Sequence, residues 1–262
     1  MAESEIPRHL IDQVREGRVV LVLGAGASLG VKRIGGGTVP STDVLAKSIA
    51  EKFLGDQFSG SDLAWIAELA ISASSLSIVQ DFVASQFLNP DPGPHHKLVP
   101  TFRWRGIATT NYDRIVETSY ESVHNRIQQV VPFLSNEDKV DAKLRDPSCV
   151  GLLKLHGCVT RTHDEKLPLI LTVDQYVTHR TNRTRVFQML EEWATENTLI
   201  FIGHSIRDFD LRRLLLDLIN NLGGHPRFYI VRPEVDDLER DFWGKKSITV
   251  LKNVLCPVFR EA

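Results

Sequence analysis

Four short clusters in this 262-residue chain combine residue types able to bind or cleave a phosphorylated ligand. The first, Gly24-Ala25-Gly26-Ala27-Ser28, directly follows an aliphatic run. Glycines let a backbone turn tightly and approach a pyrophosphate, whose charge the amides and dipole of a following helix meet. The third glycine falls at Gly30 and position 29 is Leu29, which departs from the dehydrogenase fingerprint, and no Gly-Lys-Ser/Thr follows as a P-loop requires. A plain strand-to-helix turn accounts for the same residues. The second cluster, Thr109-Thr110-Asn111-Tyr112-Asp113, places an amide and a carboxylate where ribose hydroxyls, a carboxamide or an attacking water are held in open parallel sheets, although Asp113 also serves as a helix N-cap and Asn111 as a turn residue. The third, Leu155-His156-Gly157, offers an imidazole able to take a proton from a ribose hydroxyl or a water, with a glycine leaving room for the ligand. Such a histidine is more often structural or solvated. The fourth, Ile202-Gly203-His204-Ser205 with Arg207 and Asp208, is a second phosphate- or ribose-friendly turn, or a capped helix start.

The elements around these clusters are legible from periodicity. Leu10, Ile11 and Val14 share a helical face that ends at Gly17, and Arg18 to Leu23 (RVVLVL) is a continuous run suited to a parallel strand buried on both faces. GGGTVP (35–40) is loop, after which Ser41, Thr42 and Asp43 offer caps for a helix through Val44, Leu45, Ile49 and Phe53. Helical spacing continues over 62–73 and 77–88 until NPDPGP (89–94) breaks it. Strands are expected at 106–110, 150–155, 168–172, 198–202 and 228–231, with helices after Asp113, Thr181 and Asp208. This alternation predicts an α/β, Rossmann-like architecture: an open, mostly parallel sheet with helices on both faces and a mainly helical insertion around 41–100. Residues 1–262 read as one domain, without repeats or a convincing linker.

Composition sets the outer bounds. With 42% hydrophobic and 24% charged residues the chain has the balance of a soluble globular protein, and a formal net charge of -2 provides no global field for nucleic acid or an anionic membrane. Arg180, Arg183 and Arg185 read as a solvated helical face or a partner surface. Three cysteines, Cys149, Cys158 and Cys256, fit reduced thiols in a cytoplasmic protein better than a disulfide framework. The first thirty residues lack the basic-then-apolar order of a secretory signal, and no apolar stretch reaches the length that spans a bilayer.

In order, GAGAS, TTNYD, LHG and GHS resemble the motif series of the sirtuin family, GAG-x-S, TQN-x-D, HG and GTS. The resemblance extends from Gly24 to Ser205 and implies NAD+ as ligand. Carried over position by position, it implies that Gly24, Ala25, Gly26 and Ser28 line the phosphates. Thr110, Asn111 and Asp113 would then serve the nicotinamide-side ribose and carboxamide, with His156 as general base. Gly203, His204 and Ser205 would contact the adenosine side, with His204 in place of the family's usual Thr.

The departures matter as much. Protein-deacylating sirtuins carry two Cys-x-x-Cys pairs between HG and GTS, and this chain has only Cys158 there, so no zinc module and no metal are expected. The family's Gly-Ile-Pro-x-Phe-Arg segment is also missing, with GGGTVP roughly in its place, which leaves the acyl-lysine pocket in doubt. Tyr112, the phrase FIGHSIRDFDL and the helical stretch after LTVDQY resemble the zinc-free branch found in bacterial antiphage systems. That resemblance implies an NAD+ glycohydrolase, with Asn111, His156 and Asp113 as catalytic residues, acting as a homo-oligomer or with a helicase-like, Argonaute-like or sensor partner. A protein deacylase or ADP-ribosyltransferase, and a non-catalytic NAD or ADP-ribose sensor, are the alternatives.

Overall fold

A computed structural model describes residues 6–252 except 56, 57, 59, 205–211, 214, 217, 218 and 220–226. The chain opens with helix α1 (Arg8–Arg15), whose Leu10 and Val14 are buried, and enters strand β1 (Val19–Leu23). All five β1 residues are buried. Val19, Leu21 and Leu23 face one core cluster and Val20 and Val22 the other, as the continuous aliphatic run requires of a strand covered on both sides.

Between β1 and the next sheet strand lie helices α2 (Thr42–Phe53), α3 (Leu63–Ala73), α4 (Leu76–Gln86) and the short α5 (Pro94–Leu98). The starts of α2, α3 and α4 follow from side-chain caps. Ser41 Oγ accepts from Val44 N, Asp62 Oδ1 from Ala64 N and Ser75 Oγ from Ile78 N, each meeting a backbone donor that the first helical turn leaves unpaired.

The remaining order is β2 (Gly106–Thr109), α6 (Ile115–Ser122), β3 (Gln129–Phe133), α7 (Asp141–Leu144), β4 (Cys149–Lys154), α8 (Val173–Thr178), α9 (Thr184–Glu196), β5 (Thr198–Ile202), β6 (Phe228–Arg232), α10 (Asp237–Gly244) and β7 (Ile248–Lys252). The seven strands run in the order β3-β4-β2-β1-β5-β6-β7, every pairing parallel. The expected Rossmann-like parallel sheet is therefore present, with helices on both faces. Strand succession reverses at β1: the chain builds outward on one side through β2 to β4, then crosses to β5 on the other. Such a switch point leaves a crevice at the carboxyl ends of the strands.

Three expectations need correction. Residues 168–172 form no strand: Leu167, Leu169, Ile170 and Leu171 are buried, but this stretch lies outside the sheet. Its polar groups are met by other partners, with Leu169 N donating to Gln80 Oε1, Leu171 N to Gln175 Oε1, and Pro168 O accepting from Arg183 Nη2. A buried extended segment and a strand carry the same apolar signature. Two edge strands, β3 and β7, were not expected; Pro132 in β3 obscures the first, and an edge position is where a proline is tolerated. Arg183 is not part of a solvated face but only 1% exposed. The helix expected after Asp208 begins outside the described residues.

Trp193 of α9 packs against the sheet and explains two glycines in the strands. A Cβ at Gly106 would stand 2.1 Å from its ring and one at Gly151 2.9 Å. Gly106→Ala is expected to destabilise the protein by about 1–3 kcal/mol through overpacking, read from the urea midpoint. Gly244→Ala, where a Cβ meets nothing within 4 Å, is the control and should be neutral or mildly stabilising.

Candidate active site

The cavity at the switch point has a volume of about 790 Å³. It is walled by the turn after β1, the loop after β2, His156 after β4, Gly203 and His204 after β5, and Arg232 and Pro233 at the end of β6. Side chains from the helical stretch, including Leu45, Phe87 and Val99, form an apolar flank. This volume lies inside the range of roughly 300–1,000 Å³ usual for small-molecule sites.

The glycine turn after β1 is held against the turn after β5. Gly24 N donates to Ile202 O at 3.0 Å and Gly26 N to Gly203 O at 2.8 Å. A Cβ at Gly24 would lie 2.6 Å from the His204 ring, and one at Gly26 would lie 2.9 Å from Gly203 Cα. Gly203 has φ +68°, and a Cβ there would stand 2.0 Å from Ala27 N. Glycine is required at these positions by the apposition of two turns. Ala25 and Gly26 remain exposed and line the cavity, while Ser28 is buried at its wall.

Asn111 ties the β2 loop to this turn. Its Nδ2 donates to Gly24 O at 3.0 Å and to Ser28 Oγ at 2.9 Å, and its backbone N donates to Thr109 Oγ1. A carbonyl only accepts, so the bond to Gly24 O fixes the amide orientation. Both amide hydrogens are thereby used, and the function Asn111 has left to offer is the acceptor Oδ1. Thr110 Oγ1 lies 3.3 Å from His204 Nε2, joining the same loop to the turn after β5.

Asp113 has two roles at once. Its Oδ1 accepts from Ile115 N at 2.9 Å, although the N-cap of α6 is Arg114 and not Asp113 as expected, while Oδ2 is buried and in no hydrogen bond among the described residues. A buried carboxylate oxygen without a donor is a costly arrangement, and this one lies behind the cavity surface that Asp113 helps to form. Tyr112 between them donates through its hydroxyl to Ile170 O at 2.5 Å, so the segment 168–171 that failed as a strand braces the loop.

His156 is 3% exposed, meets Tyr176 edge-on with centroids 5.2 Å apart, and has its carbonyl bonded by Ile170 N. Burial first, then the neighbouring His179 and Arg183, lowers its pKa to about 3. The Arg183 guanidinium behind it donates to His179 O and Pro168 O, and burial brings its own pKa down to about 10. The site therefore holds a neutral imidazole at physiological pH, a hydrogen-bonding group and weak base.

All of Gly26, Ala25, Ser28, Thr110, Asn111, Asp113, His156, Gly203 and His204 line this one cavity, Gly24 supports it from the turn, and Ser205 lies outside the described residues. Sequence reasoning missed His96, whose Nε2 lies 2.7 Å from Ala27 O, and Tyr176. A histidine in a five-residue helix after a Pro-rich break carries no periodic signal. Among the described residues no group of three or more His, Cys, Asp or Glu side chains is placed to hold a metal ion.

A parallel sheet with a cavity over its switch point, lined by glycine turns and by Asn, Asp and His, defines a Rossmann-like nucleotide-binding protein. The chain belongs to the SIR2-like domain family, whose model matches residues 105–251. This range takes in TTNYD, LHG and the β5 turn, and stops short of the glycine turn after β1. Its chemistry is accordingly of NAD-dependent, sirtuin type. A solved structure of Sir2 homologues, a triple-substituted variant in complex with 2'-O-acetyl ADP ribose, superposes over 97% of this chain and 96% of that one, with a TM-score of 0.50 and 12% identity. At that identity the likeness is one of fold. No curated protein matches the chain.

The His156 environment sets a pH dependence. An unfolded histidine titrates at about 6.5, and His156 in the folded protein at about 3. Between these values only the unfolded chain binds the proton, so stability is fully present above the upper value and is lost as pH falls toward the lower one. His156→Asn should flatten the fall of the urea midpoint between about pH 6.5 and 4.5, removing up to ~1.4 kcal/mol per pH unit. An unchanged slope in a folded variant contradicts the assignment of a buried neutral imidazole.

Proposed function

We propose that this protein is an NAD+ glycohydrolase, cleaving the bond between nicotinamide and ribose to give nicotinamide and ADP-ribose. The observation that carries this reading is that Asn111, Asp113 and the neutral His156 line one cavity together with the paired glycine turns. The turn at 25–28 would receive the pyrophosphate, and Gly203 with His204 the adenosine side, Ser205 following them in the chain.

Cleavage of this N-glycosidic bond sends the electron pair to nicotinamide, which leaves neutral, and leaves positive charge on the ribosyl carbon. Such a reaction needs positioning and charge stabilisation more than a strong nucleophile. Asn111 Oδ1 orients the incoming water as acceptor, and the buried Asp113 carboxylate lends negative charge from behind the ribose site. Water that has bonded to the ribosyl cation becomes strongly acidic, so a base as weak as His156 suffices to receive its proton. The depressed basicity of His156 thus supports a late proton transfer and argues against abstraction from free water beforehand.

Hydrolysis needs no acceptor groove. The resemblance to the zinc-free branch supports an NAD-depleting role in antiphage defence, switched on by homo-oligomerisation or by a partner protein, in the cytoplasm and without a metal. No helix among the described residues is long and apolar enough to cross a membrane.

Purified protein incubated with NAD+ at neutral pH, alone and at rising concentration, is expected to release nicotinamide and ADP-ribose equally in EDTA. Asn111→Ala and His156→Ala, each folded by circular dichroism, should both lower the rate by about 10²-fold or more. NAD+ binding without release at any concentration or oligomeric state would favour the sensor alternative.

A further inference from the structure

Behind the cavity wall lies a buried ionic cluster that the reaction above does not use. Lys154, the last residue of β4, is 1% exposed, and Glu117 on α6 is 4% exposed. Lys154 Nζ stands 3.8 Å from Glu117 Oε1 and donates to the backbone carbonyl of Asp113. Glu117 Oε2 and the Tyr120 hydroxyl are buried without a hydrogen-bond partner among the described residues, as is Asp113 Oδ2. Burial penalises the Lys154 ammonium, but the neighbouring carboxylates, Glu117 first and then Asp113, outweigh it, and the amine stays above its ordinary range. It is a charged donor at any physiological pH.

A buried ion pair is seldom the most stable filling of such a space, because two desolvated charges recover little beyond what apolar side chains supply. Its placement here has a structural consequence. Thr109 pairs with Lys154 across β2 and β4, after which β2 stops and the loop 110–113 begins. That loop is pinned by Asn111 N on Thr109 Oγ1, by Val159 N on Tyr112 O, and at its far end by Lys154 on Asp113 O. Among these three, only the last pin is a charge-assisted bond, about twice as strong as a neutral one. It closes the loop that carries both Asn111 and Asp113.

We propose that Lys154, neutralised by Glu117, is a positioning residue: from beneath the sheet end it fixes the Asp113 peptide and thereby the placement of the 110–113 loop, with Asn111, at the cavity. It touches no substrate itself. The catalytic part of this inference rests on the NAD+ hydrolase reading, whereas the structural part does not.

The test removes both charges together, in Lys154→Met/Glu117→Leu, so that no lone buried charge remains. The amides of residues 111–115 should exchange with solvent about tenfold faster or more, while those of β1 and β5 keep their native protection. In the same folded variant kcat for nicotinamide release should fall by about 10²-fold with KM nearly unchanged, as expected when reacting groups are misplaced but binding surfaces remain. Native exchange at 111–115, or native kcat, in the folded double variant overturns the proposal. Should native protein release no nicotinamide, the hydrolase reading fails and the exchange pattern alone decides the positioning role. Should the variant not fold, nitrogen-15 lysine spectra of the native protein decide it: a slowly exchanging ammonium resonance, assigned to Lys154 by its loss in Lys154→Arg, supports the bond to the Asp113 peptide, and absence of any protected lysine ammonium overturns it.

Discussion

Gly203 stands so close to the turn after β1 that a single added carbon would collide with the Ala27 amide at 2.0 Å. From this apposition the rest of the site follows. Two backbone bonds, Gly24 N to Ile202 O and Gly26 N to Gly203 O, join the ends of the two central strands where strand succession reverses. The Gly24 carbonyl then anchors Asn111, and His204 reaches Thr110, so the loop after β2 takes its place from the same pair of turns. A side chain at any of the three glycines separates the turns and opens the cavity floor. The motif glycines are thus explained by backbone meeting backbone, and exposure of Ala25 and Gly26 at the cavity is a consequence of that packing.

Opposite this floor the chemistry is governed by desolvation. His156 is kept neutral by burial with a guanidinium and a second imidazole as neighbours. Asn111 has spent its donors and keeps an acceptor; Asp113 has one oxygen on the Ile115 amide and the other buried behind the cavity surface. An amide acceptor, a neutral imidazole and a buried carboxylate around one cavity suit the proposed reaction, in which departing nicotinamide leaves positive charge on ribose.

Much of this was legible in the order of residues. The strands ending in Leu23, Thr109, Lys154 and Ile202 were visible as apolar runs followed by Gly, Asn or His, because a parallel sheet places function at strand ends. What escaped has physical reasons. The stretch 168–171 satisfies its backbone through the side chains of Gln80, Gln175 and Arg183, side-chain partners in place of a neighbouring strand, which periodicity does not register. Arg183 carries the composition of a surface residue and the burial of a core one. Lys154 lies within an aliphatic strand pattern, and nothing in its spacing announces that its ammonium ends beneath Asp113. His96 reaches the Ala27 carbonyl only through tertiary folding.

The most direct test of this account is a crystal structure of Asn111→Ala soaked with NAD+, in which turnover is suppressed and the dinucleotide remains whole. The account predicts electron density for NAD+ in the switch-point cavity, its pyrophosphate on residues 25–28 and its nicotinamide ribose within hydrogen-bonding reach of His156 and Asp113. A dinucleotide bound elsewhere, or reversed so that adenine lies against His156, would contradict it.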